Sequence, residues 1–494
     1  MRLLISALGL ALLAAPACHG GGPPLVDGAT VTPSPTLRQG QDGVSLVFTR
    51  AAGGLAGASA FDLGGVTVAR QPQSTDTRLV LSLSVPHGAT LGARTLTFSD
   101  AHGTVSLPDV VDVGAITAAP AGADTDLGTS AAPFRTLERA VEASGPDDTI
   151  QLVDGTYDAT AGETWGYTLP ARVSVAGQST AGTTLVAPPP DANGVGASGL
   201  LAPAGLTLKT LTLTGFDTAV SATGAGALVL TDVAVTGALT AAVSADFAGV
   251  TVTIRGGSLG STQDSIRLGD NCTSCKLDVT GTSLSGSGMG GHTVEISASA
   301  TGSQATLRQL DVLGDVSVTA DAATLSISDS TIKEIGTESR GTINFSGGAL
   351  DVTNSTITLN ADNFGVNFAG QTLTLTTVTI NGGKYGVYQL AGDVKVRASK
   401  IRDYGFMGYY LAQGNLDLGT DTEAGGNAFS SSATGDLVFG LYVDGVTHPV
   451  TSSNTTFNGV EPPAGMVAAA PDQMIDVPGE YFINFGKAIT FWTL

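Results

Sequence analysis

Residues able to do chemistry are sparse and spread out. Of five histidines, only His292 and His448 fall in the long second half of the chain, and neither sits in a recognisable catalytic motif. His87 and His102 lie in turn-like segments and are expected simply to be exposed. The one adjacent acidic pair is Asp147-Asp148, ahead of the repeats. Cleavage beside a uronate needs a base for the ring proton, often with Ca²⁺ on clustered carboxylates, whereas glycoside hydrolysis needs two carboxylates flanking the bond. Asp264, Asp270 and Asp278, with Arg255 and Arg267 nearby, are the place where Ca²⁺ is conceivable; the plainer reading is solvated turn acids. Asp124 and Asp126 raise the same question earlier in the chain. Cys272-Thr-Ser-Cys275 has redox or zinc spacing. No helix start precedes it to lower a thiol pKa and no further soft ligands lie nearby, so a local disulfide between Cys272 and Cys275 is expected. No catalytic residue and no metal site is assigned from the sequence.

The densest chemistry lies in 381–410, which holds five of nine tyrosines and five of 22 basic residues. Lys384, Tyr388, Lys395, Arg397, Lys400, Arg402, Tyr409 and Tyr410 are the candidate ligand-binding set. Rings stack on sugar faces and cations pair with carboxylates, which suits an acidic polysaccharide. In Asp393-Val-Lys-Val-Arg397, Lys395 and Arg397 point outward if Val394 and Val396 point inward. Phe364, Tyr385 and Tyr404 recur at one repeat length, and core packing is the expectation for those three.

The elements that must carry these residues follow from composition and pattern. The 494 residues include 67 glycines, only 5% aromatics and 13% charged residues, with net charge −21. The acidic balance disfavours nucleic acid, whose binding requires basic surface. Residues 1–17 have a positive start, a short apolar run and small residues at Ala15-Pro16-Ala17, the pattern of an export signal. Cys18 follows directly. Residues 25–113 contain short alternating segments separated by breakers, which predicts a small antiparallel sandwich. Residues 114–123 read as a linker. In 124–180, Pro133 starts a short helix with Phe134, Leu137 and Val141 on one face, and Gly145-Pro146 stops it. Across 181–460, apolar pairs recur every 21 to 25 residues or so: Leu206/Leu208, Leu228/Leu230, Val250/Val252, Leu277/Val279, Leu325/Ile327, Leu350/Val352, Leu373/Leu375 and Val394/Val396. A second apolar position follows about five residues later, as at Leu213, Val235, Ile357, Ile380 and Ile401. That pattern predicts stacked coils of three short strands. Residues 461–494 are expected to cap the far end.

Three resemblances attach to these residues. Ala15-Pro16-Ala17-Cys18 resembles the lipobox of bacterial lipoproteins, which implies a lipidated Cys18 with 18–24 as a tether. Thr32-Pro33, Gly40 to Phe48, Leu63 to Val68 and Leu91 to Thr97 resemble the IPT/TIG family of immunoglobulin-like domains. Gly128-Thr129, Pro133 to Leu137, Asp148-Thr149-Ile150 and Gly155-Thr156-Tyr157 resemble the DUF1565 branch of pectin-lyase-like proteins, with Gly419-Thr420 and Gly425 to Phe429 resembling its end. The fold implied is all-β: an Ig-like sandwich, then a right-handed parallel β-helix with an N-terminal capping helix.

That resemblance implies polysaccharide lyase or hydrolase chemistry, but the adjacent Asp pairs, Gly-His-Gly and Arg-Ile-Lys that mark polygalacturonases are absent from the coils. The expectation is therefore a noncatalytic, monomeric surface lipoprotein, at the outer membrane or cell surface, that binds carbohydrate or a surface. The alternatives are a lyase or hydrolase with an unrecognised site, and a purely structural envelope protein. Carboxylates converging with a Lys or Arg in an outer groove would favour the enzyme, and a groove of rings and cations alone would favour the binder.

Overall fold

The computed structural model describes residues 30–32 and 36–459, apart from 101–102, 287–290, 320, 335–340, 361, 421, 434–437 and 444–449. The expectations at 1–24, Cys18, His448 and 461–494 lie outside the described residues. The chain folds as two compact units.

The smaller unit comprises 30–32, 41–85 and the described residues of 92–112. It is antiparallel. Val44–Thr49 lies between Thr30–Thr32 and Arg78–Ser84, and Arg78–Ser84 also pairs with Thr67–Arg70. Ser59–Asp62, Gly92–Asp100 and Gly103–Gly114 belong to a second sheet. Alternation explains the packing: Leu46 and Phe48 are buried while Ser45 and Thr49 face out.

The larger unit is a parallel solenoid of about twelve coils. Each coil gives one strand to each of three sheets, of fourteen, thirteen and twelve strands. Pairing is in register from coil to coil, as in Leu350↔Leu373↔Val394 on the fourteen-stranded sheet and Ile357↔Ile380↔Ile401 on the thirteen-stranded sheet. Strands such as Thr372–Thr376 (TLTLT) show why: threonines point out, and Leu373 and Leu375 are buried inside. A single coil cannot satisfy its own backbone or bury its own leucines, so the stack is the folding unit.

Two of the sequence readings shift here. Leu228 aligns with Val252, so that coil's inward pair is Val252/Ile254 rather than Val250/Val252. A coil that the pattern missed is built on Ala305/Leu307, in register with Leu277/Val279 and Leu325/Ile327. Alanine at Ala305 hides the apolar signal. Coil length runs from 20 residues (Ala305 to Leu325) to 34 (Leu416 to Val450).

Between the fourteen- and thirteen-stranded sheets the chain turns through a two-residue corner. Its first residue has positive φ in coil after coil: Thr210, Asp232, Gly256, Gly281, Gln309, Asp329, Asn354, Thr377 and Ala398. Each of their N–H groups donates to a carbonyl of a neighbouring coil, for example Asn354 N to Thr376 O at 3.0 Å and Thr377 N to Arg397 O at 2.9 Å. The next residue tucks inside. Ser330, Ser355 and Ser399 are buried there, and their hydroxyls donate back to Ser328, Thr353 and Arg397 carbonyls.

At one end, Ile116–Ala118 is the terminal strand of the fourteen-stranded sheet, and the helix Leu137–Glu142 packs on it and on Thr149–Leu152. Thr136 caps the helix by accepting from Arg139 N, and the buried Glu163 carboxylate accepts from Leu137 N at 2.7 Å. Asp124, weighed as a cation ligand, spends Oδ1 on Arg135 N, Thr136 N and Thr136 Oγ1. Residues 86–91 fold with this unit. His87, expected simply to be exposed, places Nδ1 2.5 Å from the buried Asp148 carboxylate.

The in-register core predicts a sharp contrast between adjacent positions. Leu375→Ala is expected to lower unfolding free energy by about 2–5 kcal/mol, and the neighbouring outward Thr374→Ala by no more than about 0.5 kcal/mol. Equilibrium urea unfolding followed by circular dichroism measures both.

Candidate active-site groove

The ligand set drawn from 381–410 is distributed over all three sheets. Lys384, Tyr388 and Tyr410 belong to the twelve-stranded sheet or its edge. Lys395 and Arg397 lie on the fourteen-stranded sheet, where Lys395 Nζ is 2.7 Å from Glu423 and Arg397 Nη2 is 2.6 Å from Asp417. Arg397 is buried despite its outward register, because its guanidinium also donates to the Val396 and Asp417 carbonyls. Lys400 and Arg402 lie on the thirteen-stranded sheet. Tyr409 points inward, fully buried, and its hydroxyl donates to Gln389 Oε1 at 2.5 Å. Strands of all three sheets pass through this one window, so closeness in sequence separated these residues in space.

Tyr404 is core, as expected, but Phe364 and Tyr385 are half-buried on the outer face of the twelve-stranded sheet. Their rings stack at 4.7 Å and 2°. Tyr388 meets both edge-on at 5.2 Å, stacks on Tyr410 at 4.4 Å, and Tyr410 stacks on Tyr442 at 5.5 Å. Phe406 and Phe439 extend the platform. Lys384 Nζ lies 5.8 Å from the Tyr385 ring and 5.7 Å from that of Phe406.

The same face carries a charged cluster that the sequence pattern does not assemble. In register along it stand Arg267, Glu295, Ser317, Asn344, Asn367, Tyr388, Tyr410 and Tyr442. Arg267 Nε is 3.3 Å from Glu295 Oε2. Asp264, buried at the start of the Arg267 strand, accepts from His292 N at 2.7 Å and lies within hydrogen-bonding reach of Glu295. Burial, then the neighbouring Asp264 charge, raise the Glu295 pKa above the usual carboxylate range. His292 Nδ1 is 2.6 Å from Asp315 Oδ2. With Asp315 accepting from Nδ1–H, Nε2 becomes the basic nitrogen. His292 also lines an open cleft of about 460 Å³ shared with Ser317, Asn344 and Asn367. This is the arrangement of an oriented base beside a carboxyl held toward its acid form, with a guanidinium alongside.

The signal that would have exposed the cluster is coil length. Among the coils between Leu206 and Leu416, the longest, 28 residues from Leu277 to Ala305, holds the glycine-rich run of the sequence before His292. The acids singled out for Ca²⁺ do not converge: Asp278 pairs with Arg308 on the fourteen-stranded sheet, Asp270 bonds Ser297, and only Asp264 joins the cluster. Among the described residues no group of three or more His, Cys, Asp or Glu side chains is placed to hold a metal ion. Cys272 and Cys275 are disulfide-bonded and buried, with Cα atoms 5.5 Å apart.

Residues 120–191 match the family described as "Protein of unknown function (DUF1565)". No curated protein matches the chain. Among solved structures, the chain is similar to pectate lyase Pel9A (14% identity, 69% of this chain and 79% of that one, TM-score 0.32). It is also similar to the A-module of the Azotobacter vinelandii mannuronan C-5 epimerase AlgE6 (13%, 66% and 92%, 0.33) and to a rhamnogalacturonan lyase (14%, 71% and 90%, 0.31). Likeness at this level bears on neither substrate nor reaction.

The raised Glu295 pKa has a sign that thermal unfolding can read. The folded state holds this proton more tightly than the unfolded chain does. Its stabilising contribution is complete below the ordinary glutamate range and is lost as pH rises through the folded value. Glu295→Gln mimics the protonated form, so its Tm relative to wild type is expected to be higher at pH 7 than at pH 4. An equal difference at both pH values would mean that the carboxyl is not perturbed.

Proposed function

We propose that this chain is an exported, lipid-anchored surface protein whose β-helix acts on an extended acidic polysaccharide along the outer face of the twelve-stranded sheet. Cys18 carries the lipid, the N-terminal sheets form an Ig-like spacer, and the Leu137–Glu142 helix closes the start of the solenoid. One observation carries the enzymatic part. Asp264, Arg267, His292, Glu295 and Asp315, from successive coils, converge beside an open cleft. This moves the reading from the noncatalytic binder expected from sequence toward the enzyme.

The chemistry that fits is elimination. His292 takes the proton from the carbon beside a uronate carboxylate. That electron pair forms a carbon–carbon double bond, the bond from the adjacent ring carbon to the bridging oxygen breaks, and the leaving oxygen takes its proton from Glu295. Arg267 pairs with the substrate carboxylate. Hydrolysis fits less well, because Asp264 and Glu295 are within hydrogen-bonding reach, whereas hydrolytic pairs stand roughly 5–9.5 Å apart across the bond.

The test uses soluble protein beginning after Cys18 and a panel of polyuronates, with ultraviolet absorbance reporting the new double bond. Unsaturated products are expected. His292→Ala and Glu295→Gln are each expected to lower the rate by about 10²–10⁴-fold. New reducing ends without unsaturation would replace elimination by hydrolysis. Binding without any product would return the chain to the noncatalytic reading.

A further inference from the structure

The groove changes character along its length. At the Arg267 end it presents charges. Two coils beyond Glu295 it presents amides: Asn367 Nδ2 donates to Asn344 Oδ1 at 3.3 Å, while Asn367 Oδ1 is buried with no hydrogen-bond donor. An acceptor taken out of water without a partner costs about 1–3 kcal/mol, so a ligand hydroxyl donating there would remove a standing penalty. One coil further, in register with Asn367, the rings begin at Tyr388 and continue through Tyr410 and Tyr442, with Phe364 and Tyr385 beside them. Lys395, Arg397, Lys400 and Arg402 lie on the other two sheets, which leaves Lys384 as the cation against these rings among the described residues. A face of rings, hydroxyls and one unfilled acceptor suits a sugar without charge, its C–H face on the rings and a hydroxyl toward Asn367.

We propose that Asn367, Tyr388 and Tyr410 form a neutral-sugar subsite, so that the glycan accepted by this groove is mixed. An acidic residue occupies the Arg267 and His292 end and neutral residues lie over the rings. This rests on the reading of the face as a glycan groove, and it adds what the substrate must contain. A pure polyuronate would set carboxylates over the rings, with the single ammonium of Lys384 to answer them.

The test is isothermal titration of the soluble protein with two neutral probes, cello-oligosaccharides and xylo-oligosaccharides, and with an oligogalacturonate, in low salt and in 1 M salt, where the screening length is about 3 Å. At least one neutral probe is expected to bind with affinity unchanged by salt. Tyr388→Ala and Asn367→Leu are each expected to weaken it about tenfold, a change of roughly 1.4 kcal/mol, and Tyr388→Phe much less. Lys400→Ala, on the thirteen-stranded sheet, should leave this binding intact. Thermal melts confirm that each variant is folded, and the wild-type titration decides the matter even if one is not. Binding of a neutral probe, with no elimination product from polyuronates or from a glycan that mixes uronates with neutral sugars, upholds the subsite and overturns the lyase. Elimination on pure polyuronate, with no neutral probe bound and Tyr388→Ala fully active, overturns the subsite and upholds the lyase. Neither binding nor product overturns both.

Discussion

The corner between the fourteen- and thirteen-stranded sheets is the constraint from which the rest of the solenoid follows. It spans two residues, begins in the left-handed region, and donates its first N–H to a neighbouring coil. Non-glycine residues adopt that conformation at a cost of order 1 kcal/mol or more. Asp232, Asn354 and Thr377 adopt it all the same, because slipping by one residue would turn every inward leucine or valine to solvent. In the nine coils from Thr210 to Ala398 the corner therefore pins two strands in register and leaves length variation to the remaining turns.

That division of labour builds the groove. On the twelve-stranded sheet, one outward residue per coil falls in line with its neighbours above and below, so side chains remote in sequence become adjacent. Arg267 and Tyr442 stand 175 residues apart in the chain yet in one file on one face. In the coil from Leu277 to Ala305, longer than the coils on either side, His292 stands against Asp315 at the margin of this file. A regular scaffold thus supplies direction, and a coil that departs from the common length carries the reactive group.

The fold is largely legible in the sequence because inward positions announce themselves: TLTLT and its relatives can only be a strand with its leucines buried. It blurs where the inward residue is small, as at Ala305, and where the apolar alternation runs on past the strand, as at Val250, Val252 and Ile254. The site is far less legible. Sequence density draws attention to 381–410, yet that window crosses three faces, and two of its cations, Lys395 and Arg397, close onto Glu423 and Asp417. The true neighbours, Arg267 with Glu295 and Asn367 with Tyr388, are one coil apart, and coil length varies too much for that spacing to be read without knowing the corners. Rings at one-coil spacing usually mark core, which is why Phe364 and Tyr385 read as inward from sequence; the outward register of Tyr388 beside them shows the face to which they belong.

Because each coil contributes one rung to the file, the extent of this face is a whole number of coils. Duplicating one coil, of roughly the size seen here, would lengthen the file by about 4.8 Å and leave every other corner bonded as before. Losing one between Asn344 and Tyr388 would bring the rings a step nearer His292 without altering either end. The distance between the charged and the aromatic ends is in that sense digital, open to evolution by unit steps and closed to gradual drift.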